Sequence, residues 1–174
     1  MGFFDTIKQG LGIGTLEATL DVPAQIAGSA GKVEGTLHLA AKSDQEVKEV
    51  TVTFEMIRSW EEIEQRPNSS GGSESYASHQ SRTYTLGQFR DAVPFAIKAG
   101  EVKAMPFTIA FTLADPASLA KEVLGEGELG SIVGALSKIS SVMNNERYEY
   151  RVGAKATLEG TLLNPSDSKE VVVI

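Results

Sequence analysis

The sequence predicts an all-β chain, an antiparallel β-sandwich with a short helix before it and a helical insertion near residues 116–145. Three observations carry that expectation. Two ladders of alternating apolar and polar residues run through Gly31–Phe54 and Ala92–Thr112, the period of two that a strand with one dry face requires. Gly, Pro, Asn and Asp punctuate these ladders at the intervals of a Greek-key sandwich. Only near the N-terminus and between Pro116 and Asn145 does the apolar period change to that of a helix.

Taken in order, Phe3, Phe4, Ile7 and Leu11 fall on one side of a short helix over residues 1–13, which Gly10, Gly12 and Gly14 terminate. That apolar face either covers an open end of the sandwich or docks on a partner or membrane surface; a helix this short supports only a weak peripheral membrane contact. Gly2 and Thr6 also match the N-myristoylation pattern, although bulky Phe3 follows the glycine directly. Strands are expected at Leu16–Val22, Val33–Ala41, Val47–Trp60, Arg82–Phe89, Ala92–Lys98 and Ala104–Leu113. Within them Val33, Leu37 and Leu39 share a face, as do Val47, Val50, Val52, Phe54 and Met56, and later Phe107, Ile109 and Phe111. Residues 61–80 are rich in Glu, Ser, Gly and Asn and read as a mobile hairpin loop. Asn68-Ser69-Ser70 within it is a chance glycosylation sequon.

The insertion opens with Asp115 as N-cap and Pro116 at the first helical position. Leu119, Val123 and Leu124 form one apolar cluster; Leu129, Ile132, Val133, Leu136, Ile139 and Met143 form a second, and Asn144-Asn145 closes the helix. Strand signals return over Arg147–Leu158, where Tyr148, Tyr150, Val152, Ala154 and Ala156 alternate with polar residues. A turn at Asn164-Pro165-Ser166-Asp167 leads to a last strand at Glu170–Ile174, whose end is expected to be tied into a sheet.

The 174 residues suit a single domain, long enough to bury a self-sufficient core. Hydrophobic content of 41% with 22% charged residues is globular composition. No apolar run approaches the ~20 residues of a membrane span, and the start does not read as a secretory signal, so a cytoplasmic location is expected. The absence of cysteine rules out disulfides, thiol nucleophiles and thiolate metal sites. A net charge of −7 opposes general attraction to nucleic acid or anionic lipid.

No motif carries chemistry. Gly125-Glu126-Gly127-Glu128-Leu129-Gly130 has the spacing of a dinucleotide fingerprint, but it joins two helical segments and its glutamates would repel a pyrophosphate. Gly28-Ser29-Ala30-Gly31-Lys32 is a strand-entry turn rather than a phosphate loop. The two histidines, His38 and His79, lack metal-ligand spacing, and no Gly-x-Ser-x-Gly elbow exposes a serine. Glu61, Glu62 and Glu64 beside Trp60 read as a solvated edge more readily than as a weak calcium site. No catalytic residue, metal or cofactor is therefore expected. The candidate partner-binding residues are the apolar helix faces, Phe3, Phe4, Ile7, Leu11, Leu129, Ile132, Leu136 and Ile139.

Four short motifs, in order, resemble the bacterial sporulation-control Spo-zero-M family: Met1-Gly2-Phe3-Phe4 leading through Gly12-Ile13-Gly14; Gly31-Lys32-Val33-Glu34-Gly35 with Leu37; Gly100-Glu101 with Pro106-Phe107-Thr108-Ile109; and Tyr150-Arg151-Val152 through Leu158-Glu159-Gly160. The resemblance implies an arrestin-like, immunoglobulin-type sandwich and a non-enzymatic adaptor in sporulation, envelope or stress control. Family members usually carry two sandwich halves, and this chain resembles the first; the insertion is outside the usual pattern. Two readings stay open beside the adaptor. One is a homo-oligomeric structural protein assembled through its helices or edge strands. The other is a ligand-binding sandwich using Trp60, Tyr76 and Tyr84.

Overall fold

The computed structural model describes residues 15–67, 71–113 and 144–174. Its strands are β1 (Leu16–Asp21), β2 (Gln25–Ile26), β3 (Lys32–Ala41), β4 (Gln45–Pro67), β5 (Ser73–Asp91), β6 (Phe95–Ile97), β7 (Val102–Ala110), β8 (Asn144–Leu158) and β9 (Ser166–Val173). They make a three-stranded sheet in the order β1-β3-β7 and a larger one in the order β2-β9-β8-β4-β5, with β6 also on β4. Pairing is antiparallel in β1–β3, β3–β7 and β8–β9, with Leu20 opposite Leu37, Gly35 opposite Phe107 and Gly153 opposite Ser168. The short β2 runs parallel to the end of β9.

Two compact units make up the chain. The first holds the described residues through Met56 together with Thr85–Thr112 and Glu149–Ile174; the second holds Ile57–Tyr84 and the described part of Leu113–Tyr148.

The first unit is the sandwich, and its core follows from the alternation of the strands. Leu20, Val33, Leu37, Leu39 and Ile109 face Val50, Val52, Phe54 and Val152, all essentially inaccessible to water. Each such side chain contributes about 1.5–3 kcal/mol by its burial. Phe54 packs edge-on against Phe111 at 4.8 Å between ring centroids, the arrangement that ring quadrupoles favour. Along β4 the buried positions change parity between Val47 and Val50, the offset that one extra residue in a bulge produces. Gly35 is required by proximity: a Cβ there would lie 2.6 Å from the Asp21 carbonyl oxygen and 2.7 Å from the Phe107 ring.

The Gly28–Ala30 stretch is one 3₁₀ turn closed by Gly31 at φ +62°, and the Phe111 N–H bonds to the Gly31 carbonyl at 2.9 Å. The Gly28–Lys32 segment is thus the expected strand-entry turn. Ile174 is tied in on both sides, donating to the Ile26 carbonyl at 3.0 Å and accepting from the Gly28 N–H at 2.8 Å.

Several expectations need correction. Residues 61–67 and 73–80 are strand rather than loop: β4 continues to Pro67 and β5 begins at Ser73. Strand pairing satisfies the backbone whether or not either face is apolar, so polar composition there signals exposure rather than coil. Asn144 and Asn145 open β8 rather than close a helix. The expected Ala92–Lys98 strand is confined to Phe95–Ile97, where it pairs with Gln45–Val47. The expected N-terminal helix over residues 1–13 and residues 116–143 of the expected insertion lie outside the described residues.

In the second unit, the extended parts of β4, β5 and β8 carry a polar and aromatic face. Arg58 pairs with Glu146, and its guanidinium lies 5.2 Å from the Trp60 ring centroid. Burial alone would lower the Arg58 pKa, but Glu146, Tyr148 and the Tyr84 hydroxyl outweigh it and hold the cation above its ordinary value. Arg82 lies 5.4 Å over Tyr84.

Candidate binding surface

The face of the larger sheet turned away from the core carries a concavity. Alternation that sends Val52 and Phe54 inward leaves Glu49, Thr51, Thr53 and Glu55 on the outer side of β4; on β8 it leaves Arg151, Gly153, Lys155 and Thr157. Ser166 and Ser168 of β9 stand opposite Lys155 and Gly153. These residues line an open trough of about 570 Å³ within the sandwich unit. Gly153 lies in its lining, and the Thr53 hydroxyl donates to the Gly153 carbonyl oxygen at 3.5 Å.

Most of the charge in the trough is already committed. Arg151 donates to Glu55 at 2.9 Å, joining β8 to β4. Arg90 pairs with Glu49 at 2.5 Å, and this hydrogen bond leads the causes that hold the Glu49 carboxyl below its ordinary pKa. At the β9 end, Asp167 accepts the Leu20 N–H of β1 and the Ser168 N–H, each at 2.8 Å. Burial opposes ionisation of Asp167, but those two N–H groups, with Lys169 at 3.7 Å, prevail and lower its pKa. Because Leu20 belongs to the smaller sheet, Asp167 also clasps the two sheets together. Lys155 is exposed and has no ion-pair partner among the described residues.

The hydroxyls of Thr51, Thr53, Thr157, Ser166 and Ser168 have no histidine beside them, since neither His38 nor His79 lines the trough. Each carboxylate is held by a cation or by backbone N–H groups rather than poised as a free base. No group of three or more His, Asp or Glu side chains among the described residues is placed to hold a metal ion.

The residues singled out from the sequence do not build this surface. Phe3, Phe4, Ile7, Leu11, Leu129, Ile132, Leu136 and Ile139 lie outside the described residues. Trp60, Tyr76 and Tyr84 belong to the second unit; Trp60 and Tyr84 are half-buried under arginines, whereas Tyr76 is exposed. What the sequence reading missed is the outward-facing half of the ladders. Its polar positions were legible as exposed, but the partnership of Glu55 with Arg151 spans 96 residues.

Comparison with known proteins agrees with this architecture. No protein-family model and no curated protein matches the sequence. Among solved structures, the crystal structure of Spo0M, sporulation control protein, from Bacillus subtilis matches over 92% of this chain and 50% of that one, with a TM-score of 0.53 and 18% identity. The chain shares the Spo0M fold. The resemblance read from the Gly31–Gly35, Gly100–Ile109 and Tyr150–Gly160 motifs therefore holds at the level of fold: a β-sandwich with open sheets over the described residues. The chain spans about half the length of Spo0M. No helix among the described residues is long and apolar enough to cross a membrane.

Proposed function

We propose that this chain is a non-enzymatic regulator of the arrestin-like type, a cytoplasmic adaptor that works by binding other proteins. The observation that carries the reading is the match of 92% of the chain to the Spo0M fold, a sporulation control protein by description. The trough supports it, because its charged groups are arranged to hold a surface rather than to move protons. The role in sporulation or stress control is part of this proposal.

The test is reconstitution. Proteins crosslinked to the tagged chain in its native host are identified, purified and titrated against it; saturable binding at defined stoichiometry is the expected result. Absence of any partner that binds in purified form, or substrate turnover abolished by a single side-chain change, overturns the reading. A second reading, self-assembly, is favoured by solvent-facing apolar residues such as Leu162, 80% exposed, and Val93, 71% exposed. Light scattering coupled to size-exclusion chromatography separates the two: a micromolar dimer or larger assembly supports self-assembly and a monomer removes it.

A further inference from the structure

We propose that the trough on β4, β8 and β9 receives an extended, acidic segment of a partner protein, which crosses Gly153 and sets a carboxylate on Lys155. This rests on the adaptor reading and names the partner chemistry that reading leaves open.

Two independent features point to such an occupant. The first is the glycine. Gly153 sits in the interior of a central strand, where glycine weakens a sheet. Its φ is not among the left-handed values of this chain, and an added Cβ would meet only the Thr53 hydroxyl, at an ordinary 3.5 Å. Neither backbone conformation nor packing asks for glycine here. Gly35 is the contrast, since a Cβ there would strike backbone at 2.6 Å. A strand glycine with open space above it lets another chain pass close to the sheet.

The second feature is charge. Glu49 is neutralised by Arg90, Glu55 by Arg151, and Asp167 by Lys169 and two N–H groups. Lys155 is left as the charge lining the trough without an ion-pair partner among the described residues, on a chain of net −7. Ser166 lies opposite it and Thr157 two residues along the strand, placing hydroxyl donors beside the cation. A carboxylate arriving there meets an ammonium and hydroxyls, whereas a basic segment meets carboxylates already occupied. One exposed ion pair is weak, so selectivity comes from the carboxylate and the close backbone passage together.

The experiment titrates the isotope-labelled chain with an octapeptide of alternating Asp and Ser, beside the same peptide with Asn for Asp, and follows amide resonances. The expected result is saturable shifts at Gly153, Lys155 and Ser168 with the Asp peptide only. Lys155→Glu is expected to raise its Kd by about tenfold. Gly153→Val is expected to abolish binding without lowering Tm, an opposition that a merely structural glycine cannot produce. If Gly153→Val fails to fold, Lys155→Glu still decides. No shift at these amides at millimolar peptide, equal shifts with the Asn peptide, or indifference to Lys155→Glu each overturns the proposal. A reconstituted partner that binds both variants as tightly as the parent chain refutes this site while leaving the adaptor reading intact. Loss of every purified partner removes the adaptor reading itself.

Discussion

Strand β4 passes through both units, and its two parts obey the same geometry with opposite contents. From Val50 to Met56 every second residue is buried and apolar. From Ile57 onward the same face carries Arg58 and Trp60, partly exposed and held by ion pairing and a ring contact, and then the exposed Glu62. The sequence makes the strand legible as far as Trp60, and only from Glu61 onward does it read as a loop. The difference teaches that period-two hydrophobicity reports a dry face, not strand pairing itself. A ribbon rich in polar residues forms strand as well and is silent to that signal.

The comparison breaks most decisively at its dry end. Phe54→Ala is expected to cost about 3–5 kcal/mol in denaturant unfolding, because the ring is fully buried and leaves a cavity beside Phe111 and Tyr150. Trp60→Ala on the same strand is expected to cost well under half as much; equal losses would mean that the two parts share one core. A pair of glycines sharpens the point. Gly35→Ala forces a carbon against the Asp21 carbonyl and the Phe107 ring and is expected to lose about 1–3 kcal/mol. Gly153→Ala is expected to be neutral or to gain up to about 1 kcal/mol. Thermal unfolding of both variants under one condition checks the sign.

Smaller effects follow from the polar contacts. Asp167→Ala removes the acceptor of the Leu20 N–H and is expected to cost about 1–2 kcal/mol. Since the native pKa of Asp167 lies below its unfolded value, its contribution is present above the unfolded pKa. It is lost as pH falls through the native one. Asp167→Asn should therefore flatten part of the acid limb of a stability–pH curve; an unchanged limb would show that the clasp does not stabilise the fold. Smallest is the ribbon pair, in which Arg58 and Glu146 are 16% and 29% exposed. Glu146→Gln is expected to cost about 1 kcal/mol, partly screened by salt. A loss approaching that of Phe54→Ala would contradict the description of the ribbon as a polar surface.

The candidate surface was less legible than the fold for a related reason. Thr51, Thr53 and Glu55 could be assigned to a solvent-facing row by counting residues, and so could Lys155 and Thr157. Counting cannot show that the rows are neighbours, because β4 reaches β8 across a chain separation of 96 at the Glu55–Arg151 pair. Nor could the sequence separate the two glycines. Gly35 and Gly153 both interrupt apolar ladders, and only the surroundings show that one is crowded and the other open.

By itself, the sequence determined the class of the fold, the inward residues of the sandwich strands and the turn at Gly28–Gly31, because local periodicity and backbone freedom are properties of neighbouring residues. Tertiary structure alone decided that 61–67 and 73–80 are strand, that Asp167 joins two sheets, and that Lys155 is left without a counter-ion. These depend on which distant strands pair, and pairing is settled by the global packing of the core rather than by any local window.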